Sequence, residues 1–105
     1  MMLARATFVC VVALALTVPA RVRAHDAPAG WTYPFSCCSG IDCREVPADW
    51  IDESGAGYRI RITGELIAEG DTRLKQSPDG KFHWCSVAGS NDGRTICLFA
   101  PPRGF

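Results

Sequence analysis

Two strand-forming runs decide the fold of this chain: Lys81-Phe82-His83-Trp84-Cys85-Ser86-Val87 and Arg94-Thr95-Ile96-Cys97-Leu98-Phe99. Both runs are rich in the aromatic and β-branched residues that favour strands. The polar, glycine-containing segment 89–93 separates them, which is typical of a turn. The pattern therefore predicts an antiparallel hairpin, and Pro101 ends its second strand because proline cannot donate to a strand ladder.

The register of this hairpin predicts a disulfide. If the loop is centred on Asn91, Cys85 and Cys97 lie opposite each other, since each is six residues from the centre. Opposed residues of an antiparallel pair have Cα atoms about 4.5–5.5 Å apart, which a disulfide can span. We therefore predict the bridge Cys85–Cys97.

The same register assigns the hairpin side chains to two faces. The disulfide face is predicted to carry His83, Val87, Thr95 and Phe99, and the other face Phe82, Trp84, Ile96 and Leu98. Because both faces are largely apolar, both are expected to be covered, one by a preceding hairpin and the other by the N-terminal arm.

The preceding hairpin is predicted from residues 58–62, where apolar and charged residues alternate as in a half-buried strand. Residues 63–65 form a plausible turn into a second strand at 66–68. The segment 46–51 suits either a short strand or a single helical turn, and residues 25–40 suit an extended arm held by aromatic rings. The predicted fold is a small, mainly-β domain of two antiparallel hairpins with an N-terminal extended arm, stapled by disulfides.

The start of the chain has the pattern of a signal peptide. A short basic region ending at Arg5 precedes an uncharged apolar run, residues 6–20, and small residues follow at the positions that a signal peptidase reads. The run is shorter than the about 20 apolar residues that a membrane-spanning helix needs. We predict a signal peptide over 1–24, cleaved after Ala24 with Ala20 as second choice. A single domain, 25–105, then works in the periplasm or is secreted.

Processing changes the charge of the chain. The full sequence has 11 basic and 11 acidic residues, and residues 1–24 contain three arginines and no acid. The mature chain therefore carries eight basic residues against eleven acidic ones, a net charge near −3. A mildly acidic domain lacks the excess of basic residues that attracts nucleic acid or an anionic membrane surface. We expect neither as a partner.

Five cysteines remain after processing, and in an oxidising compartment they predict a disulfide framework. Besides the hairpin bridge, one of Cys37 or Cys38 is predicted to join Cys43 across the turn at 39–40. A different connectivity that includes the hairpin cysteines stays open. Because five is odd, the last thiol is free or forms a disulfide-linked dimer.

Cleavage after Ala24 makes His25 the first residue, so that its α-amine and imidazole can chelate one ion. His83 is the only other histidine and supplies a third nitrogen, and such nitrogen sites favour Cu(II). The hypothesis is a copper site at His25 and His83. The alternatives are an arm without metal, with His83 a core residue, and a thiolate site for Zn or Cu(I) that uses His83 with the cysteines.

No pattern in the sequence predicts catalysis. No Cys-x-x-Cys opens a helix as in thiol oxidoreductases, and no phosphate-binding glycine loop or Ser/His/Asp arrangement stands out. A domain of about 80 residues also has little room for an enclosed substrate pocket. We expect a non-catalytic binding or structural module whose partner is a protein or a small ligand.

Four segments of the sequence resemble segments of known proteins. The segments His25-Asp26-Ala27-Pro28-Ala29-Gly30-Trp31, Cys37-Cys38-Ser39-Gly40-Ile41-Asp42-Cys43, Ser77-Pro78-Asp79-Gly80 and Asp92-Gly93-Arg94-Thr95-Ile96-Cys97 resemble a group of small exported cysteine-containing proteins of Gram-negative bacteria. The resemblance covers nearly all of the mature chain. It implies a periplasmic or secreted address and assigns no activity.

A shorter segment, Ser54-Gly55-Ala56-Gly57-Tyr58, is similar to the Ser-Gly-x-x-Tyr loop of periplasmic inhibitors of vertebrate-type lysozyme. That family's second motif, a Tyr followed by Thr-Lys-Gly, is absent. The resemblance implies a protein-type enzyme inhibitor, whereas the residues alone predict a glycine-rich turn before a strand.

The signal peptide is tested by fusing residues 1–24 to a reporter that is active only in the periplasm. We expect active reporter and a processed protein whose first residue is His25, because the apolar run is long enough for export and too short for anchoring. N-terminal sequencing of the recovered protein measures this. A full-length chain held in the membrane would contradict the prediction.

Overall fold

The computed structural model describes residues 25–28 and 30–103, which form two β-sheets; the predicted signal peptide, 1–24, lies outside the described residues. Among the described residues, no helix has the length and hydrophobicity needed to cross a bilayer. The described part of the chain contains seven strands: β1 Cys43–Val46, β2 Ile51–Ser54, β3 Gly57–Ile60, β4 Leu66–Ala68, β5 Leu74–Gln76, β6 Phe82–Ser86 and β7 Thr95–Ala100. The prediction of a small, mainly-β fold is confirmed.

The first sheet has four strands in the order β1-β6-β7-β5. Strands β6 and β7 form the predicted antiparallel hairpin, and Cys85 lies opposite Cys97 as expected. Strand β1 pairs antiparallel with the other side of β6, which places Cys43 opposite Cys85. Strand β5 runs parallel to β7. The hairpin was predicted from the sequence, and the two strands that flank it were not.

The second sheet is an antiparallel meander, β2-β3-β4. The predicted hairpin is present as β3 and β4, with Tyr58 opposite Ile67. Its first strand ends at Ile60, two residues earlier than predicted, because the backbone N–H of Gly64 donates to the carbonyl of Ile60 and closes a turn. The side chain of Ile62 consequently remains exposed.

The ambiguous segment 46–51 contains both of the structures considered for it. Val46 ends β1, a single 3-10 turn covers Ala48–Trp50, and Ile51 begins β2. Pro47 lies between strand and turn, with the extended backbone that proline tolerates well. The segment thus carries the chain from one sheet to the other.

Two hydrophobic clusters cover the two faces of the hairpin, as the apolar pattern predicted. The arm packs over one face, in a cluster made of Ala27, Tyr33, Cys37, Cys38, Cys43, Cys85, Cys97 and Phe99. The second sheet packs over the other, in a cluster made of Val46, Ile51, Tyr58, Ile60, Ile67, Phe82, Trp84, Leu98 and Ala100. The domain is therefore a stack of arm, first sheet and second sheet.

The face assignment is wrong for Thr95 and Ile96. A register shift between Cys85 and Ser86 places Ser86 opposite Thr95, so that Ile96 is an extra residue on β7. The indole N–H of Trp84 consequently donates to the hydroxyl of Thr95 at 2.8 Å, while Ile96 packs against the arm cluster. A one-residue irregularity exchanges the faces of the residues beyond it because the side-chain period of a strand is two.

The disulfides correct both predicted pairings. Cys37 bonds Cys97 and Cys43 bonds Cys85, whereas the sequence analysis predicted Cys85–Cys97 and a bridge from Cys37 or Cys38 to Cys43. The register of the hairpin was correct. The error arose because β6 is a central strand, so that Cys85 has an opposed cysteine on each side and can bond only one of them.

The observed connectivity predicts which cysteines contribute to stability through a bridge. Replacing Cys43 and Cys85 together by Ala is expected to lower the free energy of unfolding by about 4 kcal/mol, because the bridge closes a loop with a sequence separation of 42. Cys38→Ala removes a thiol and no bridge, so it should cost about 1 kcal/mol. Urea denaturation measures both. Non-reducing peptide mapping that links Cys85 to Cys97 would contradict the connectivity.

Candidate functional site

His83 lies on β6, is fully buried, and has a hydrogen-bond partner at each ring nitrogen. Its Nε2 donates to the carboxylate of Asp79 at 2.8 Å, and its Nδ1 lies 2.7 Å from the hydroxyl oxygen of Tyr33. Burial, together with the nearby charge of Asp79, raises the pKa of Tyr33 to about 12. The hydroxyl therefore keeps its proton and donates to Nδ1, so that the three side chains form one continuous chain of hydrogen bonds.

Asp79 is the most heavily bonded side chain of this network. It accepts from the indole N–H of Trp31 at 2.9 Å, the hydroxyl of Ser77 at 2.8 Å and the backbone N–H of Lys81 at 3.0 Å, besides His83. Burial acts to raise the pKa of Asp79, but the hydrogen bonds from Trp31, His83 and Ser77 outweigh it and hold the pKa well below its usual range. The largely buried carboxylate is thus stabilised in its ionised form.

Glu45 lies close to Asp79 and His83. Each of the three side chains offers one possible metal-ligand atom, and these atoms lie within 4.8 Å of one another. Such a set can hold a divalent metal when its lone pairs are free. Here the oxygens of Asp79 and both ring nitrogens of His83 already have protein partners. The network instead joins the arm, the turn before β6 and β6 itself, which is a structural role.

The predicted copper site requires His25 and His83 to bind the same ion. The structure does not direct their ring nitrogens to a common point. Both rings contact the ring of Tyr33, with centroid distances of 5.1 Å for His25 and 5.5 Å for His83. Their nitrogens face different partners, because His83 bonds Tyr33 and Asp79, whereas Nδ1 of His25 bonds the carbonyl of Gly40 and lies 3.1 Å from Sγ of Cys38. The two-histidine site is therefore corrected: His83 is not available to His25.

Cys38 is the unbridged cysteine among residues 25–28 and 30–103, and it is fully buried. Its Sγ donates to the carbonyl of Gly40 at 3.3 Å and faces His25. A disulfide-linked dimer through this residue stays a prediction, and it requires the thiol to leave its buried position.

Two loops meet at the end of the molecule that carries the disulfides, and we call their residues, 34–42 and 87–93, the stapled end. Asp42 holds these loops together: its carboxylate accepts from the backbone N–H and hydroxyl of Ser39 and from the backbone N–H of Ala88, each at 3.0 Å. These hydrogen bonds, that of the Ser39 N–H foremost, hold the pKa of Asp42 below its usual range. Gly89, at φ +66°, approaches the carbonyl of Ile41 so closely that an added Cβ would lie 2.6 Å from it.

Large apolar side chains project from the stapled end. Ile41 is 75% exposed and Phe35 63%, and Val87 is about half exposed. The fourth exposed large apolar residue of the described part, Ile62, lies elsewhere, in the turn after β3. A rigid backbone therefore presents apolar groups to solvent at one end of the domain.

A groove of about 440 Å³ opens where β1 ends and β6 begins. Val46, Pro47 and Phe82 contribute apolar surface to it, and Glu45 and Lys81 contribute one charge of each sign. This volume lies within the usual range of small-ligand sites. The groove is therefore large enough for a small ligand, and a second groove of the same volume lies beside β5.

The Ser-Gly-x-x-Tyr segment forms the turn between β2 and β3, as the residues alone predicted. Gly57 has φ +136°, and an added Cβ would lie 2.3 Å from the carbonyl oxygen of Ile67, so only glycine fits. Tyr58 is buried, and its hydroxyl accepts from Arg103 at 3.0 Å. The tyrosine of this loop therefore packs inward and is not displayed to a partner.

Sequence reasoning missed the network partners of His83. Asp79 was recognised as a turn residue, and its position four residues before His83 was the one local signal of their contact. Tyr33 and Trp31 lie 50 and 48 residues from the groups that they bond, and nothing in the sequence pattern indicated those contacts.

The network predicts a pH-dependent stability. Asp79→Asn should lower the free energy of unfolding by about 2–3 kcal/mol at pH 7, because it weakens charge-assisted hydrogen bonds to buried donors. Since the pKa of Asp79 is depressed in the folded protein, its contribution is complete above the unfolded pKa near 4 and is lost as the pH falls through the folded value. The difference between wild type and variant should therefore shrink below about pH 4.

The matched control is Asp52→Asn, whose partner Arg61 is well exposed and whose ion pair should contribute less than about 1 kcal/mol. Denaturation at a series of pH values measures both variants. Equal costs for the two, or a cost of Asp79→Asn that does not change with pH, would show that the network is not stabilising.

Comparison of the chain with protein-family models, with curated proteins and with solved structures found no match. The function is therefore inferred from the residues and the geometry described above.

Proposed function

We propose that the mature chain is a non-catalytic binding module of the periplasm or the extracellular space, and that it binds a protein partner through the stapled end. The observation that carries this proposal is the exposure of Ile41 on a backbone fixed by its neighbours. Ile41 lies between Cys37 and Cys43, each of which forms a disulfide to the first sheet, and next to Asp42, which bonds two loops.

A fixed backbone favours binding because little conformational entropy is lost on association. Exposed aromatic and aliphatic side chains that fill a partner's pocket commonly contribute most of the binding free energy. Phe35 and Ile41 are the most exposed large apolar side chains of the described residues. Hydration of these groups is unfavourable in the free protein, so a partner that covers them gains their burial.

The state of the ionisable groups supports a non-catalytic role. A general base must have a nitrogen or oxygen free to meet a substrate. His83 and Tyr33 are buried and bonded to each other, and Asp79 is bonded to several donors. Their hydrogen bonds hold the arm on the first sheet, which is the support that a rigid binding surface needs.

Two disulfides are consistent with an oxidising compartment outside the cytoplasm. The signal-peptide pattern of residues 1–24 and the resemblance to small exported proteins of Gram-negative bacteria support the same address.

The proposal is tested with Ile41→Ser against Ile62→Ser. Both variants remove an exposed isoleucine, but only Ile41 lies on the stapled end. A protein captured from periplasmic extract by the wild-type chain is purified. Calorimetry then measures the dissociation constants of its complexes with the wild type, with Ile41→Ser and with Ile62→Ser. Ile41→Ser should weaken binding at least tenfold, whereas Ile62→Ser should match the wild type.

Circular dichroism before the titration shows that each variant is folded. Equal affinities of the two variants for every captured protein would place the binding surface elsewhere and contradict the proposal.

A further inference from the structure

The groove where β1 ends and β6 begins combines apolar surface with one charge of each sign. The apolar surface comes from Val46, Pro47 and Phe82, and the charges belong to Glu45 and Lys81, whose side chains are exposed. We propose that this groove binds a short peptide with free termini, with its ammonium group beside Glu45 and its carboxylate beside Lys81. The groove and the stapled end lie at opposite ends of β1, so either proposal can fail without the other.

The two charged side chains of the groove are open to a ligand. Within residues 25–28 and 30–103, neither the carboxylate of Glu45 nor the ammonium group of Lys81 takes part in a hydrogen bond or an ion pair. A ligand that carries both charges can therefore pair with both side chains. Because a zwitterion has no net charge, it does so without leaving an uncompensated charge in the groove.

The charge around Glu45 favours an ammonium group at this position. A ligand atom of Asp79 lies within 4.8 Å of one of Glu45, and the hydrogen bonds of Asp79 keep its carboxylate ionised. Two negative charges this close attract a cation more strongly than one alone. Since Asp79 is already bonded to its own donors, Glu45 makes the contact and Asp79 adds its charge.

The backbone of Glu45 favours a peptide over other zwitterions. The N–H of Ser86 donates to the carbonyl of Asp42, and the bonds of an antiparallel pair recur at every second residue. Arg44 and Val46 therefore bond β6, whereas the N–H and C=O of Glu45 point away from it, at the free edge of the sheet. These two groups have no partner among the described residues, so they can pair with the amide of a bound peptide, as in strand addition.

The same edge limits the length of the peptide. The next residue of β1 whose backbone groups point outward is Cys43, and it is only 2% exposed. On the other side of Glu45, Pro47 has no N–H to donate. The open edge therefore extends over a single residue of β1, which suits a dipeptide or tripeptide better than a long strand.

The groove beside β5 has the same volume but a different charge pattern. Its acidic residue, Glu69, already forms an ion pair with Arg103 at 2.9 Å, and Arg103 also bonds the hydroxyl of Tyr58. Lys75 is the other charged residue of that groove. Charge and not size therefore distinguishes the two grooves, and Lys75 provides a matched control for Lys81.

The test is a titration of the mature chain with the dipeptide leucyl-leucine, followed by NMR. The dissociation constant should be on the order of 0.1–1 mM, because the ligand is small and the groove is open to solvent. The backbone resonances of Glu45, Val46 and Phe82 should shift as the site fills. The N-acetylated probe, which lacks the ammonium group, and the C-terminal amide, which lacks the carboxylate, should each bind about fivefold more weakly.

Two variants test which side chain pairs with which terminus. Glu45→Gln should bind leucyl-leucine about fivefold more weakly, and acetylation of the probe should then make no further difference. Lys81→Gln should behave in the same way toward amidation. Both side chains are exposed, so folding is not at risk. Lys75→Gln, in the other groove, should bind as the wild type does.

Three results would overturn the site. The first is the absence of a saturable shift in this concentration range. The second is equal affinity of the three probes for the wild type, which would mean that the termini are not recognised. The third is a loss of affinity in Lys75→Gln that matches the loss in Lys81→Gln, which would place the ligand in the groove beside β5.

Discussion

Cys85 is the residue on which the arrangement of this domain depends. It lies on β6, an interior strand of the first sheet, with Cys43 opposite on one side and Cys97 opposite on the other. Its sulfur can form a disulfide with only one of them. Because it bonds Cys43, Cys97 remains for Cys37, and that second bond fastens the arm to the sheet. A bridge between Cys85 and Cys97 would tie together two strands already paired by hydrogen bonds and would leave the arm without a covalent link.

The arm is held a second time by polar contacts in an apolar setting. Trp31 and Tyr33 reach from the arm to Asp79 and His83, and each polar atom of the group has a partner. A buried carboxylate without such donors would cost several kcal/mol. With them, it fixes the position of the arm. The arm in turn positions the loop that displays Ile41, so the polar network supports the proposed partner surface without taking part in it.

The sequence pattern predicted the elements whose information is local. The strand-forming runs on either side of a polar turn predicted β6, β7 and their register. The same reasoning predicted β3 and β4. Strand β1 was missed because Cys43–Val46 has only four residues and follows a cysteine-rich turn. Without β1, nothing indicated that Cys85 has two opposed cysteines, and the bridges were assigned wrongly. The alternation of side chains along a strand likewise does not predict that Ile96 is an extra residue on β7.

The candidate site was predictable only in part. His25 was selected for its expected position at the mature N-terminus, and the structure places the carbonyl of Gly40 and the sulfur of Cys38 beside its Nδ1. His83 was selected because it is the only other histidine, which is a weak criterion, and its partners are contributed by residues 48 to 50 positions away. Long-range side-chain contacts of this kind depend on how the arm packs, and composition and spacing do not specify that packing.

The spacing of the bridges has a consequence for biogenesis. The bonded cysteines are 60 and 42 residues apart, and each bond joins the first part of the described chain to the last. If the chain is exported N-terminus first, as proposed, Cys37, Cys38 and Cys43 enter the oxidising compartment while Cys85 and Cys97 have not yet crossed. Any bond that forms among the first three is non-native, since the final structure contains none between them. Under that proposal, maturation requires either that these thiols stay reduced until translocation ends or that thiol–disulfide exchange rearranges their early bonds.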